Sequence, residues 1–215
     1  MNLGQIKQRV RMLGRNYFGT DADRDPFGLD YIIKESANQI ARNTDCLVGR
    51  RYLSLVAGQT IYATPDIYKI RATRFLDSNG DYVQPRMYNY GDQMLVALAN
   101  KPAQAWAEAV GIRGMNEIAI YPTPSVAVTN GVMVEGYAIP GEYWAYDVNG
   151  NPIVNTDATE CPLPVVAHDC LIYGVLADRA MQMMDPNGMQ IFKAQYMDRL
   201  GQVESYAAMY MRRTV

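Results

Sequence analysis

The chain has 215 residues, of which 49% are hydrophobic and 20% are charged, a composition typical of a folded globular protein and not of a disordered one. Its 20 basic and 22 acidic side chains argue against a protein that binds nucleic acid by neutralising phosphates, because such proteins carry a basic surplus. No apolar run approaches the roughly 18 residues of a membrane helix. The N-terminal residues MNLGQIKQRVRML lack the apolar core of a secretion signal.

Two helices are predicted at the N-terminal end. The first spans about residues 3–15, and it has Asn2 and Gln5 at the positions of a capping box. Its apolar residues recur at steps of three and four, as a helix with one buried face requires; they are Leu3, Ile6, Val10 and Leu13. Lys7, Arg9, Arg11 and Arg15 make its other face basic, so that face is either solvated or in contact with an acidic neighbouring subunit. The second helix begins at Asp25-Pro26 and continues to about Asn43.

The middle of the chain is predicted to be a region of antiparallel strands, because short apolar runs there alternate or nearly so and are separated by turn residues. The predicted strands are 51–56, 60–63, 67–75, 82–87, 117–121 and 132–136, with turns at Asn79-Gly80 and Asn130-Gly131. Residues 88–99 favour a short helix. Residues 104–112 are rich in alanine, which favours a helix. We nevertheless predict a strand, because Gly111 and Gly114 bracket a turn that leads directly into the strand 117–121.

A second Asn-Gly hairpin, Tyr143 to Asn155, is predicted to project from this region within residues 141–156. Its Tyr143, Trp144 and Tyr146 are large aromatic side chains, which commonly anchor protein contacts. They indicate an interface with a partner protein or a neighbouring subunit, with a hairpin folded back on its own subunit as the alternative. The 16 tyrosines of the chain, against four phenylalanines, favour contact surfaces that are wet before assembly and dry after it.

Two long helices, 163–184 and 185–211, are predicted at the C-terminal end, with Asp185 capping the second and 211–215 forming a tail. A short break between long helices favours antiparallel packing. The fold class is therefore α+β: N- and C-terminal helices form an antiparallel bundle, with a central antiparallel sheet or sandwich inserted between them. The predicted parts are residues 1–48, 49–160 and 161–215, the first and last being one structural unit.

The sequence carries no catalytic motif, and we predict a protein that is not an enzyme and that binds no cofactor or metal. His168 is the only histidine, and its neighbour Cys170 points to another helical face, so a Cys–His nucleophile is disfavoured. Glu108 and Glu117 could form the acid pair of a glycoside hydrolase only if the fold brought them together. Three widely spaced cysteines, the others being Cys46 and Cys161, indicate reduced buried thiols and not a disulfide framework.

The order of these segments resembles the head–tail adaptor (head-to-tail connector) proteins of tailed bacteriophages. Three stretches carry the resemblance: the strand–turn–strand VAGQTIYATPDIYKIRATRF, the strand pair EIAIYPTPSVAVTNGVMVEGYAIP, and the paired helices LPVVAHDCLIYGVLADRAMQM and QYMDRLGQVESYAAMY. The similarity spans about residues 1–215, and the hairpin at 143–155 is longer than the usual connection.

The resemblance implies a structural virion protein that is assembled in the host cytoplasm and placed at the head–tail junction. It implies a ring of about twelve copies that binds the portal protein on one side and tail or nozzle proteins on the other, with packaged DNA passing through without specific binding. The C-terminal segment of such adaptors docks on the portal, which assigns a portal interface here to Tyr206, Met209, Tyr210, Met211, Arg212 and Arg213. The alternative is another virion component or a virion-associated cell-wall hydrolase.

Overall fold

The structure is a computed structural model, and it describes residues 1–15, 17–18, 29–89, 91–140 and 160–213, without the side chains of 211–213. These residues contain five helices and eight strands, which confirms the α+β class. In chain order the elements are α1 (Leu3–Leu13), α2 (Leu29–Thr44), β1 (Val48–Leu55), β2 (Ile61–Ala63), β3 (Ile67–Leu76), β4 (Tyr82–Val83), β5 (Arg86–Asn89), α3 (Gln93–Ala99), β6 (Ala109–Arg113), β7 (Glu117–Tyr121), β8 (Val128–Ala138), α4 (Ala167–Gln182) and α5 (Pro186–Arg213).

The chain divides into two compact units. The first, which we call the helical unit, joins residues 1–47 to 139–215, so both ends of the chain contribute to it. The second, the sheet unit, is the continuous stretch 48–138. Each unit has a hydrophobic cluster of its own.

Helix α4 is the centre of the helical unit, because it contacts α1, α2 and α5. Its sequence explains this position: buried residues occur on several sides of the helix, among them Ala167, Cys170, Leu171, Ile172 and Val175. A helix that is apolar on more than one side requires neighbours on more than one side. The cluster that fills the contacts includes Ile6, Val10, Ile33, Ile40, Leu171, Leu176 and Val203.

The predicted start of α1 is confirmed. The Asn2 side chain accepts a hydrogen bond from the Gln5 N–H at 2.8 Å, and the Gln5 side chain accepts one from the Asn2 N–H at 3.0 Å. The predicted tail at the other end is wrong in part, because α5 continues through Arg213. Residues 206–213 are thus the last two turns of a long helix.

The sheet unit contains two four-stranded sheets. Sheet 1 has the order β1-β8-β3-β4, and sheet 2 has the order β2-β7-β6-β5. Side chains of both sheets belong to one buried cluster; Leu55, Phe75 and Val132 come from sheet 1, and Tyr62, Val110 and Ile120 come from sheet 2. The core of this unit therefore lies between its two sheets.

The strand pairing departs from the expected antiparallel region at one place. The prediction of one return strand over residues 82–87 is wrong. In sheet 1, β4 pairs with β3, whereas β5 belongs to sheet 2 and pairs with β6 in parallel. Pro85 lies between β4 and β5, and a proline lacks the N–H that continuous ladder pairing needs.

The prediction of a turn at Asn130-Gly131 is also wrong. Both residues lie inside β8, which begins at Val128 and pairs with β1 and β3. Asn130 adopts a φ of 52°, and the register between β1 and β8 shifts nearby, between Leu53 and Leu55. Asn130 therefore uses its tolerance of positive φ in a β-bulge and not in a chain reversal.

Candidate interaction surfaces

The C-terminal end of α5 presents a group of large apolar side chains. Met209 is 62% exposed and Tyr210 is 59% exposed, whereas Ala207 beside them is buried. The rings of Tyr206 and Tyr210 lie one helical turn apart with their centroids 5.5 Å from each other and an interplanar angle of 32°. The two rings therefore form a preassembled aromatic surface at the helix end, which we call the α5 tip.

The predicted site residues fall into two groups. The structure brings Tyr206, Met209 and Tyr210 together at the α5 tip, and it extends the helix backbone through Met211, Arg212 and Arg213. The side chains of those last three residues lie outside the described part of the structure. Tyr143, Trp144 and Tyr146, with the rest of residues 141–159, also lie outside it.

A second exposed group lies where α4 turns into α5. Met181, Met183 and Met184 are all exposed, and Met184 is 89% exposed with a φ of 53°. Glycine or asparagine is the usual residue in that conformation at a helix end, because a side chain there costs about 1 kcal/mol. The predicted break between the two C-terminal helices lies at this turn.

The start of α5 is fixed by Asp185. Its Oδ1 accepts hydrogen bonds from the N–H groups of Asn187 and Gly188 at 3.1 and 3.0 Å, as expected of the predicted cap. Its Oδ2 accepts a hydrogen bond from the Tyr17 hydroxyl at 2.5 Å. The bonds from Gly188 and Tyr17 lower the pKa of Asp185, so the carboxylate stays ionised and holds the segment after α1 against the start of α5.

A third surface, which sequence reasoning missed, is the outer face of sheet 1. Opposed residues on neighbouring strands point to the same side of a sheet. Three rows across β1, β8 and β3 lie on the side opposite the buried cluster: Val48–Tyr137–Lys69, Arg50–Glu135–Ala72 and Tyr52–Met133–Arg74. Met133, in the last row, is itself buried, with 5% of its surface exposed. The rows between them face the core, through side chains such as Leu53, Val132, Val134 and Phe75.

Cations and tyrosines dominate this outer face. Lys69 Nζ and the Arg71 guanidinium lie 4.8 and 5.5 Å from the centroid of the Tyr137 ring. At the other end of the face the rings of Tyr52 and Tyr82 lie 5.7 Å apart. Such ring contacts hold the side chains in fixed positions while part of each remains exposed.

Only one carboxylate lies among the three rows. Glu135 Oε2 is 2.7 Å from Arg50 Nε, and the Arg50 side chain is 62% exposed in spite of this ion pair. Arg74 is exposed too, and no described carboxylate pairs with it. The face therefore carries a positive excess on a chain whose total charge is negative.

The histidine and cysteines considered as catalytic residues are buried or half-buried within the helical unit. His168 is buried, with Nε2 3.1 Å from the Leu163 carbonyl oxygen and Nδ1 3.2 Å from the N-terminal nitrogen of Met1. Burial raises the pKa of Cys170 to about 12 and that of Cys161 to about 11, so neither is a thiolate at neutral pH. A Cys–His nucleophile is not assembled in the described residues.

Glu108 and Glu117 lie toward opposite ends of the β6–β7 pair. Arg113 is opposite Glu117, and Glu108 precedes β6 by one residue, so about five residues, or roughly 16 Å of strand, separate the two acids. That separation is too large for the two acids of a glycoside hydrolase, which need about 5 to 9.5 Å. Lys101 Nζ lies within 2.9 Å of both carboxylate oxygens of Glu108, on the wall of a surface cavity of about 520 Å³.

The described residues contain no group of three or more His, Cys, Asp or Glu side chains with metal-binding geometry. Among them, no helix is both long enough and apolar enough to cross a membrane.

Comparison with known proteins decides the family. The family model described as SU10 adaptor protein matches residues 1–215, which is the whole chain. The chain belongs to the SU10 adaptor protein family. No curated protein matched the sequence. The resemblance to phage head–tail adaptors is therefore confirmed at the level of the family.

Membership in this family makes the chain a structural adaptor protein of a bacteriophage. An adaptor works by contacting other proteins of the phage head and tail, so its functional residues are those of its exposed contact surfaces. In the described residues, large side chains are exposed at the α5 tip, at the methionines of the α4–α5 turn and on part of the outer face of sheet 1.

Proposed function

We propose that the protein is a head–tail adaptor that forms a ring of twelve copies at the head–tail junction of the virion. The ring joins the portal to tail or nozzle proteins, and packaged DNA passes through it without specific binding. The match of the adaptor family to the full chain is the observation that carries this proposal. The balance of 20 basic and 22 acidic residues supports it, because a conduit must not hold the phosphates it conducts.

The helices supply the portal-binding part in this proposal. The helices within residues 1–48 and 161–215 form one antiparallel bundle. The packing of α4 against α1, α2 and α5 supports this arrangement. The α5 tip then projects the surface that docks on the portal. Tyr206, Met209 and Tyr210 fill apolar grooves there, and Arg212 and Arg213 bind carboxylates of the portal.

The hairpin predicted at 143–155 binds a different partner from the portal. Its Tyr143, Trp144 and Tyr146 contact a tail protein or a neighbouring adaptor subunit. In the sequence, these residues lie between β8 and α4.

The portal contact is tested by co-sedimentation with assembled portal rings. Replacing both Met209 and Tyr210 with serine removes two exposed apolar side chains from the α5 tip. Replacing Ile191 and Met197 with serine is the matched control, because these side chains are 62% and 56% exposed on the same helix. We expect the first pair to weaken binding about tenfold or more, as the loss of interface anchors does, and the control pair to bind like the wild type.

Truncation after Ala208 tests the arginines as well. Binding of the truncated chain should be weaker and should depend less on salt concentration, because two charged contacts are lost. Undiminished affinity with unchanged salt dependence would remove residues 209–215 from the portal interface. A chain that degrades cell wall in place of binding portal rings would support the hydrolase alternative.

A further inference from the structure

We propose that the groove between the edge strand β5 and helix α3 binds the segment 141–159 of a neighbouring copy of this chain. The segment is added to β5 as a further strand, and its acidic and aromatic side chains lie in the groove. This inference rests on the proposed function, because it requires the subunits to assemble side by side in a ring. It goes further by naming the surface that receives the hairpin predicted at 143–155 and the residues that recognise it.

Helix α3 lies on the outer side of sheet 2, where small residues make room for it. The rows that contain Ala109, Gly111 and Ala119 alternate with the rows that face the core of the sheet unit. Leu95 is the only buried residue of α3, and it packs on Gly111, where an added Cβ would lie 2.7 Å from its side chain. The helix is thus anchored on β6 and β7, and a groove lies between it and the edge strand β5.

The groove is largely apolar and has a volume of about 520 Å³. Arg86 and Tyr88 line it from β5, and Met94 and Leu98 line it from α3. Every residue of α3 after its first is apolar, yet Met94 is 49% exposed and Val96 is 58% exposed. A helix that is apolar on all sides is normally covered on all sides, so this surface is suited to a contact with another segment.

Strand β5 offers backbone hydrogen bonds at its free edge. It is the last strand of sheet 2, and among the described strands only β6 pairs with it there. The Arg86 N–H donates to the Glu108 carbonyl oxygen, in the direction of β6. Since backbone groups alternate in direction along a strand, the N–H and C=O of Met87 and the N–H of Asn89 point to the free edge. An extended segment laid beside β5 satisfies them, as in other proteins that bind peptides by strand addition.

One unpaired cation lies at the groove. Lys101 Nζ is held by both carboxylate oxygens of Glu108, whereas no described carboxylate pairs with the exposed Arg86. The segment 141–159, GEYWAYDVNGNPIVNTDAT, contains three acids and no base. It therefore supplies the negative charge that Arg86 lacks, together with aromatic side chains that suit an apolar groove.

The sequence of the segment presents both contacts on one face. Residues 143–148, YWAYDV, form the first strand of the predicted hairpin, and side chains two positions apart lie on the same side of a strand. Tyr143 and Asp147 share a side for this reason. Asp147 then pairs with Arg86, and the Tyr143 ring packs on Met94.

A contact of this kind closes a ring. Each subunit gives its segment 141–159 to one neighbour and receives the segment of the other neighbour in its groove, so two different patches meet at every interface. A hairpin folded back into the groove of its own subunit would give no contact between copies. The two arrangements differ in the mass of a cross-linked product.

Photocrosslinking uses that difference. A chain with p-benzoylphenylalanine in place of Tyr143 is assembled on portal rings and irradiated, and the products are analysed by mass and by peptide mapping. We expect an adduct of twice the chain mass, linked at Met94 or at another residue of β5 or α3. A link within one chain, a link to another element, an adduct with portal, or no adduct in assembled rings would overturn the proposal.

Exchange of the two charges gives the energetic test. Arg86→Glu and Asp147→Arg should each raise the chain concentration needed for ring formation about tenfold or more, because each places like charges together. The double variant restores opposite charges and should assemble within about threefold of the wild type. Arg42→Glu changes the net charge as much as Arg86→Glu does, at an exposed position of α2, and should assemble like the wild type. Thermal melting checks that all the variants fold.

The proposed function and this inference fail in different ways. If the wild-type chain forms no ring on the portal, both fail. The proposed function stands and the assignment of the groove is wrong if the wild type forms rings and Arg86→Glu forms them at the same concentration. The same conclusion follows if the double variant assembles no better than the single ones.

Discussion

At the scale of single residues, the chain places reactive side chains where they hold structure together. His168 illustrates this, since both of its ring nitrogens are engaged: Nε2 with the Leu163 carbonyl and Nδ1 with the N-terminal nitrogen of Met1. A carbonyl oxygen only accepts hydrogen bonds, so Nε2 donates and Nδ1 accepts from the ammonium group. The neutral ring thereby links the start of α1 to the start of α4.

This linkage predicts a dependence of stability on pH. Burial, and then the nearby N-terminal ammonium, lower the pKa of His168, while the Leu163 carbonyl and Asp169 act in the opposite direction. The folded protein therefore binds this proton less readily than the unfolded chain, whose histidine has a pKa of about 6.5. The contribution of His168 is complete above that value and is lost as the pH falls toward the lower folded-state pKa.

We expect the free energy of unfolding, measured with urea, to fall between pH 7 and pH 5.5. The His168→Gln variant keeps a donor for Leu163 but cannot titrate, so its stability should change less over this interval. Because the chain has a single histidine, no other imidazole contributes. Equal slopes for the two proteins would show that His168 is not the titrating group.

At the scale of elements, the joints between helices and strands were harder to predict than the elements themselves. The capping box of α1 and the Asp185 cap of α5 were predicted, because each is local chemistry that three or four consecutive residues specify. The division of residues 82–89 between the two sheets was not predicted. Pro85 shows that one ladder ends there, but only the tertiary fold decides that β5 joins β6 in the other sheet.

Asn130-Gly131 shows the same limit. The pair is a strong hairpin signal, yet here the positive φ of Asn130 belongs to a bulge within a long strand. Gly131 is buried in β8, where an added Cβ would lie 2.9 Å from the Leu55 side chain. That contact comes from pairing with β1, about 75 residues earlier in the sequence, and no local pattern reports it.

The joint between α1 and α5 gives a prediction with a matched control. A Cβ added at Gly188 would lie 1.9 Å from the Tyr17 hydroxyl and 2.7 Å from Asp185 Oδ2, whereas one added at Gly201 meets nothing within 4 Å. Gly188→Ala should therefore cost about 1–3 kcal/mol, because the hydrogen bond between Tyr17 and Asp185 must give way. Gly201→Ala, inside the same helix, should stabilise by about 0.5–1 kcal/mol.

Chemical denaturation of the two alanine variants beside the wild type measures both effects. A stabilising Gly188→Ala would mean that Tyr17 moves aside without cost, and that α5 is not held by this contact. Tyr17→Phe provides a further check: without the hydroxyl, the penalty of Gly188→Ala should shrink.

At the scale of the whole molecule, the family could be predicted from the sequence, whereas the exposed surfaces became visible only in the structure. The family resemblance followed from the order of strands and helices, which a single chain displays. The α5 tip was assigned through that resemblance, and in the structure the rings of Tyr206 and Tyr210 lie in contact there. The outer face of sheet 1 was missed because Arg50, Glu135 and Arg74 become neighbours only through the strand register.

We propose that this adaptor closes into a ring on the portal, and electron microscopy of the purified chain mixed with assembled portal rings tests this most directly. We expect a ring of twelve copies coaxial with the portal, with the C-terminal end of α5 of each copy against it. A chain that remains unattached, or that forms a stable twofold dimer burying its helical faces, would show that the adaptor does not close into such a ring.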